Sequence, residues 1–214
     1  MDLLDEPSVT DAEITEYLND AIDEAEAEIH TLYEDYFLTS AALSLVQGQN
    51  EVALPANIYG NKIRAIVYRD GPKIYEVKRQ TGKSIFETIA ISNNYGTDEY
   101  YRYIMVHDSA AVGRKAYVFP TLRETSSNMT CWYLRQANTL TLDADVCDIP
   151  DFESFVVAYA KYLITLHKPG FGDVAALASQ AEAQRQQMIN TLSNMVPDDN
   201  TQIYMDRSHY VEMS

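Results

Sequence analysis

The segment from Asp148 to Met195 constrains the fold most strongly, because it has the pattern of two amphipathic helices joined by a short turn. The apolar residues of the first helix recur at helical spacing: Phe152, Phe155, Val156, Tyr159, Ala160, Leu163 and Ile164. Asp148 predicts the cap at its start, followed by Pro150 in the first turn, and Lys168-Pro169-Gly170 predicts its end. Asp173 predicts the cap of a second helix. Two helices cannot bury both apolar stripes against each other, so a third helix must cover them.

The N-terminal region supplies that third helix. One face of residues 11–37 is apolar: Ile14, Leu18, Ala21, Ile22, Ala25, Ile29, Leu32 and Tyr36. The opposite face is almost entirely acidic and includes Glu13, Glu16, Asp20, Asp23 and Glu24. Basic partners at i+4 are missing, so we expect this helix to depend on tertiary or intersubunit packing.

Charge is distributed unevenly along the chain, which has a formal net charge of −16. Residues 1–61 contain fourteen Asp and Glu and no Lys or Arg, whereas the remainder is close to neutral. A surface this acidic repels phosphates, which disfavours direct binding of nucleic acid. It is compatible with a negatively lined passage through which DNA moves without adhering. A solvated acidic face and a specific docking surface are both open interpretations of the helix.

Alternating hydrophobicity and frequent turn signals between the helical regions predict an antiparallel β section. We expect a hairpin of residues 42–46 and 51–55, a strand at 63–68 paired with 73–77, a short helix at 81–91, and strands at 100–106, 116–120, 131–136 and 139–142.

The predicted fold is α+β, with a three-helix bundle formed by both chain ends, an inserted antiparallel β-sandwich or barrel-like module, and an extended C-terminal arm. The expected boundaries are 1–38 for the acidic helix, 39–146 for the β module, 147–196 for the helix hairpin and 197–214 for the arm. The arm has several apolar residues: Ile203, Tyr204, Met205, Tyr210, Val211 and Met213. They suit a segment that lies on another chain, although a self-packed or disordered terminus fits the composition equally well.

Catalytic and ligand-binding motifs are weak. Thr81-Gly82-Lys83-Ser84 resembles the end of a phosphate-binding loop, but Val77 occupies the position of the first glycine. The acidic cluster before the helix pair lacks the glycine and glutamate of a calcium loop; its members are Asp143, Asp145, Asp148 and Asp151. His107-Asp108 has half of a catalytic pair without a nucleophile motif. We therefore predict no metal, no cofactor and no enzymatic activity.

Two cysteines, Cys131 and Cys147, do not make a disulfide framework, and we expect them to be small buried residues. The acidic start differs from a signal peptide, and no apolar run is long enough to span a membrane. We expect a protein that is made in the cytoplasm and has no membrane partner.

Several short motifs occur in a familiar order. They are Leu54-Pro55-Ala56-Asn57, Cys131-Trp132-Tyr133-Leu134-Arg135, Leu140-Thr141-Leu142, Asp148-Ile149-Pro150-Asp151-Phe152, Met188-Ile189-Asn190-Thr191-Leu192 and Pro197-Asp198-Asp199. With the acidic helix, this order resembles the head-to-tail adaptor (connector) proteins of short-tailed double-stranded DNA bacteriophages, over about residues 10–200. The resemblance implies a ring, usually of twelve subunits, below the capsid portal, to which a tail nozzle or tail fibres attach.

The resemblance also implies roles for three sets of residues. The acidic face of Glu13, Glu16, Asp20, Asp23 and Glu24 would line a channel that DNA passes through without specific binding. Ala178, Ala181 and Arg185 would pack against a neighbouring subunit, and the apolar residues of the arm would hold the portal. The expected protein is a structural virion component at the head–tail junction, synthesised in the host bacterial cytoplasm. The alternatives are another ring-forming tail-completion or nozzle protein, and a small hydrolase using His107 and a carboxylate.

Overall fold

The computed structural model describes residues 9–44, 46, 48–70, 72–80, 101–107, 113–119, 128–142, 144–168 and 170–195. The chain divides into a helical unit, which contains the residues up to Tyr33 and from Leu140 onward, and a β unit, residues 34–139. The described residues form three α-helices and eight strands, which confirms the α+β class. The bundle and sandwich arrangements stay predictions, and the helix at 81–91 and the arm at 197–214 lie outside the described residues.

The helical unit is formed by α1 (Asp11–Leu32), α2 (Glu153–His167) and α3 (Val174–Met195). α2 packs against both other helices, and α1 also contacts α3. All three helices contribute buried apolar residues: Ala21, Ile22, Ala25, Ile29, Phe155, Val156, Ala158, Ala160, Ala181, Met188 and Leu192. Each large side chain buried here stabilises the unit by about 1.5–3 kcal/mol. The buried faces of α1, α2 and α3 are thus in mutual contact within the helical unit.

The predicted C-terminal end of the first helix is wrong by five residues. α1 ends at Leu32, and a separate 3-10 turn, Glu34–Phe37, follows in the β unit. The backbone of Tyr33 leaves the helical region, with φ −145° and ψ 80°. Lys62 and Arg64 of the β unit then bind Glu34 at 2.5 and 2.6 Å. These ion pairs favour a turn over continued helix, and they supply the basic partners that the local sequence lacks.

The predicted caps of the C-terminal helices have different outcomes. Asp173 caps α3, because its Oδ1 accepts a hydrogen bond from the backbone N–H of Ala175 at 2.9 Å. Before α2, a 3-10 turn, Pro150–Phe152, begins with proline as predicted. Its N-cap residue is Ile149, which makes no side-chain capping bond, so the cap assigned to Asp148 is wrong.

The segment that re-enters the helical unit is held by a side-chain amide. Asn19 on α1 donates from Nδ2 to the carbonyl of Leu140 at 2.9 Å, and its Oδ1 accepts from the N–H of Leu140 at 2.8 Å. The backbone groups of Leu140 therefore find partners without a neighbouring strand. Residues 139–142 form no strand, and that prediction is wrong.

The β unit contains two four-stranded sheets. The strands are β1 (Leu38–Leu43), β2 (Glu51–Ala53), β3 (Ile58–Asp70), β4 (Lys73–Glu76), β5 (Lys78–Arg79), β6 (Arg102–His107), β7 (Arg114–Phe119) and β8 (Met129–Arg135). Their orders are β1-β8-β3-β4 and β2-β7-β6-β5. One cluster of buried residues includes members of both sheets, such as Ile66 and Cys131 from the first and Ala116 and Val118 from the second.

Two pairing predictions are wrong. β1 pairs with β8 and β2 pairs with β7, so the expected hairpin of residues 42–55 does not form. Seven residues separate the two strands, more than the two-residue loop that most strongly favours a local hairpin, and longer-range pairing wins. The β section is also not wholly antiparallel, because β5 pairs with β6 in parallel.

Several tyrosines of the β unit and Cys131 serve packing, whereas Cys147 of the helical unit is more exposed than expected. The ring centroid of Tyr101 lies 4.9 Å from Tyr68 and 5.4 Å from Tyr75, with edge-on geometry in both pairs. Cys131 is fully buried, and this burial raises its pKa to about 11, whereas Cys147 is half-buried. Both cysteines are free thiols.

We predict that Asn19→Ala lowers the free energy of unfolding by about 1–3 kcal/mol, because two hydrogen bonds to Leu140 are lost at a half-buried position. Urea denaturation at neutral pH measures the change. Asn190→Ala is the matched control, since Asn190 is exposed on α3. Equal stability of the two variants would contradict the proposed role of Asn19.

Candidate functional site

The outward side of α1 is a stripe of exposed carboxylates. Glu16, Asp20, Asp23 and Glu24 are all exposed, as the sequence predicts. Partial burial, and then repulsion by Glu26 and Asp20, raises the pKa of Asp23 above its ordinary value. Within the stripe, the charge of Asp20 thus contributes to the raised pKa of Asp23.

Glu13, the fifth predicted member of the acidic face, is bound inside the helical unit. Its Oε2 accepts from the backbone N–H of Thr10 at 2.9 Å, and the Thr10 hydroxyl accepts from the N–H of Glu13 at 3.3 Å, forming a capping box. Lys168, just after α2, reaches its Oε1 at 2.6 Å. The hydrogen bond from Lys168, together with those from Thr10, lowers the pKa of Glu13 to about 2.

A second ion pair joins α1 to α3. Nη2 of Arg185 lies 2.9 Å from Oε2 of Glu28, and its Nη1 lies 3.7 Å from Oε2 of Glu182. The hydrogen bond that Arg185 donates to Glu28, followed by the nearby charges of Glu28, Glu182 and Glu24, raises the pKa of Arg185. Arg185, which the sequence suggested for subunit packing, therefore also has a structural role within its own chain.

The other predicted packing residues differ in exposure. Ala181 is only 4% exposed and contributes to the interior of the helical unit, whereas Ala178 is half-buried. The exposed small and amide residues of α3 are Ala175, Ala176, Ser179, Gln180, Ala183, Gln186, Gln187, Asn190, Ser193 and Asn194. The outer surface of α3 is therefore low in charge and has few bulky side chains.

A cleft of about 310 Å³ opens among the three helices, and we call it the three-helix cleft. Its wall on α2 is aromatic and consists of Phe155, Tyr159 and Tyr162. The first two rings stack with centroids 5.5 Å apart, and Tyr162 lies 5.9 Å from Tyr159. Glu24 of α1 and Glu182 and Arg185 of α3 also line it, as do Ala178 and Ala181, whose small side chains leave space.

Sequence reasoning missed this cleft. Phe155 and Tyr159 belong to the predicted apolar stripe, but Tyr159 is half-buried and not fully enclosed. The available signal was Tyr162 at i+3 from Tyr159, which extends the aromatic surface beyond the stripe. Its combination with carboxylates from two other helices depends on tertiary structure.

The acidic cluster before α2 acts as a turn. Asp145 Oδ2 accepts hydrogen bonds from the backbone N–H groups of Thr141 and Leu142, at 2.7 and 2.8 Å, and from the Thr141 hydroxyl at 3.0 Å. These bonds lower the pKa of Asp145. No group of three or more His, Cys, Asp or Glu within the described ranges is placed to hold a metal ion.

The remaining predicted sites are placed as follows. His107 is exposed at the end of β6, opposite Arg114 of β7. Asp108, Asp143, the segment 81–84 and the six apolar residues of the arm lie outside the described residues. None of the helices in the described part of the chain is long and apolar enough to cross a membrane.

A family model described as "SU10 adaptor protein" matches residues 1–208. The chain belongs to the SU10 adaptor protein family. This is a family of phage head-to-tail adaptors, so the resemblance inferred from the sequence is confirmed. The family is structural and is not a family of enzymes. A comparison of the adaptor with curated proteins found no match.

We predict that Glu13→Gln lowers the stability of the adaptor at neutral pH and that the effect disappears in acid. The pKa of Glu13 is about 2 when folded, against an ordinary value of 4.5, so its carboxylate stabilises the fold fully above pH 4.5. This contribution is lost as the pH falls through 2. Urea midpoints of both proteins between pH 7 and pH 2 should therefore converge.

Glu16→Gln is the matched control for this comparison, because Glu16 is an exposed glutamate of the same helix. It should leave the stability of the adaptor unchanged, or raise it slightly by relieving repulsion within the stripe. A loss of stability in Glu13→Gln that persists at pH 2 would show that its effect is not electrostatic.

Proposed function

We propose that this adaptor forms a ring, of twelve subunits, between the portal of the capsid and the tail nozzle or tail fibres of a phage virion. In this ring α1 lines the channel, and packaged double-stranded DNA passes through without specific binding. The C-terminal arm holds the portal. Membership of a head-to-tail adaptor family is the observation that carries the proposal.

The exposed stripe of α1 supports the channel role. DNA phosphates have high affinity for clusters of Lys and Arg, and DNA slides freely past a surface only where such contacts are few. Glu16, Asp20, Asp23 and Glu24 present negative charge instead, and residues 1–61 contain no Lys or Arg. Repulsion between this face and the phosphates keeps DNA from adhering during ejection.

The outer surface of α3 supports subunit packing. Small exposed side chains such as Ala176, Ser179 and Ala183 allow the backbone of a neighbouring helix to approach closely, and they lose little side-chain entropy in doing so. Since Ala181 is buried within its own unit, these exposed residues replace it in the proposed interface.

We predict that reversing the stripe with Glu16→Lys, Asp20→Lys and Asp23→Lys makes the adaptor bind double-stranded DNA. Its affinity should fall steeply with salt, by about 0.9 log units per log unit of salt for each phosphate contacted. Electrophoretic mobility shift assays across salt concentrations measure this, and particles containing the variant should eject DNA more slowly. The neutral triple variant Glu16→Gln, Asp20→Asn and Asp23→Asn is the control and should not bind DNA. Unchanged ejection with the lysine variant would contradict the channel role.

We predict that deleting residues 197–214 abolishes binding to purified portal rings while the adaptor remains folded. The arm supplies apolar residues that would anchor it on the portal. Co-sedimentation with portal rings measures binding, and circular dichroism checks folding. Asp206→Asn with Glu212→Gln is the control, because it changes only the charge of the arm and should preserve binding. Undiminished binding after the deletion would contradict the arm's role.

A further inference from the structure

The three-helix cleft has the chemical character of a site for a cationic side chain. Its aromatic wall consists of Phe155, Tyr159 and Tyr162, and the face of such a ring attracts a cation. Carboxylates flank the wall on two sides, Glu24 from α1 and Glu182 from α3. A guanidinium or ammonium group in the cleft would contact the rings and both carboxylates together.

The charge balance around the cleft is negative. Arg185 is the one described base that lines it, and its guanidinium is already bonded to Glu28, with Glu182 also in reach. Asp20 and Glu24 are both close enough to Tyr159 to act on its hydroxyl electrostatically. Carboxylates thus outnumber bases, and a further positive charge is the complement that the cleft lacks.

The chain itself has a matching basic surface. The two sheets end at consecutive strands, β4 and β5, so the segment Lys73–Arg79 forms an edge of both. Lys73, Lys78 and Arg79 are exposed on this edge, and none of them pairs with a carboxylate that the structure describes. We call these three residues the basic edge.

We propose that the three-helix cleft of one adaptor subunit receives a side chain from the basic edge of a second copy. The inference rests on the proposed ring, and it names two surfaces through which neighbouring copies meet. The cleft and the basic edge are different surfaces, so the contact is heterologous. Contacts of this type build a closed ring when the rotation between neighbouring subunits divides a full turn evenly. Complementary charge also gives the contact a direction, because two clefts or two basic edges repel each other.

Lysine on an edge strand has a second explanation, protection against strand-to-strand aggregation. The two explanations differ in what the cleft does. Protection of an edge requires nothing of Glu24 or Glu182, whereas docking requires both partners.

The cleft is tested first with a small probe. N-acetyl-arginine amide should shift the NMR signals of Tyr159 and Tyr162 in the full-length adaptor at millimolar concentration. The citrulline analogue, which has nearly the same shape without the charge, should bind on the order of tenfold more weakly. Glu24→Gln with Glu182→Gln should reduce the arginine response to the level of citrulline. Equal responses to both probes would overturn the assignment of the cleft.

The contact between copies is tested with reversed charges and sedimentation velocity at low salt. The wild type should self-associate, and two variants should remain monomeric: Glu24→Lys with Glu182→Lys, and Lys78→Glu with Arg79→Glu. A mixture of these two variants retains one intact cleft and one intact basic edge, so association should return when they are mixed. Glu16→Lys with Glu153→Lys controls for net charge and should associate like the wild type, because both residues are exposed and neither lines the cleft or lies on the basic edge.

The outcomes separate this inference from the proposed function. A wild type that stays monomeric at every concentration, variants that associate like the wild type, or a mixture that stays monomeric would overturn the inference. Aggregation of the Lys78→Glu, Arg79→Glu variant while the cleft variant associates normally would assign the basic edge to edge protection. Portal co-sedimentation by the same proteins reports on the adaptor role independently.

Discussion

The helical unit depends on contacts between α1 and segments that lie far along the chain. An isolated helix with this many carboxylates would be destabilised by repulsion, and its own sequence offers no lysine or arginine to offset it. Lys168 and Arg185 supply the opposite charges across sequence separations of 155 and 157 residues. Asn19 adds two hydrogen bonds to the backbone of Leu140, and the apolar face of α1 is buried against α2. Charge, hydrogen bonding and burial therefore all join the two ends of the chain.

Sequence periodicity predicted the elements well where one face had to be buried. The apolar stripes of α1, α2 and α3 and the pairing of β3 with β4 follow from local spacing. Predictions failed where distant groups replaced local partners. Residues 139–142 alternate like a strand, but the side-chain amide of Asn19 takes the hydrogen bonds of the Leu140 backbone that a neighbouring strand would otherwise take. Glu34 continues the helical pattern of the sequence, but its ion pairs with Lys62 and Arg64 hold it in a separate turn. The acidic stripe could be predicted because the spacing of charged residues along one helix is visible in the sequence. The three-helix cleft could not, because it depends on how three helices pack together.

The acidic residues of α1 divide into two groups with different roles. Glu13 and Glu28 are committed to ion pairs within the subunit, and their charges hold helices together. Glu16, Asp20 and Asp23 are exposed to solvent and can interact with DNA or with another protein. Glu24 lies between the groups, exposed on the stripe and lining the three-helix cleft. A single amphipathic helix can thus stabilise its unit and present a surface to other molecules in an adaptor.

The insertion of the β unit between α1 and its partners has a consequence for biosynthesis. α1 leaves the ribosome before the helices that cover its apolar face, which are translated only after residue 140. At ordinary elongation rates the interval is roughly 5–20 s. During that time the apolar stripe of the nascent helix is exposed to solvent. The high negative charge of the helix keeps it soluble until its partner helices are made. The same carboxylates can therefore protect the growing chain from aggregation before the fold is complete.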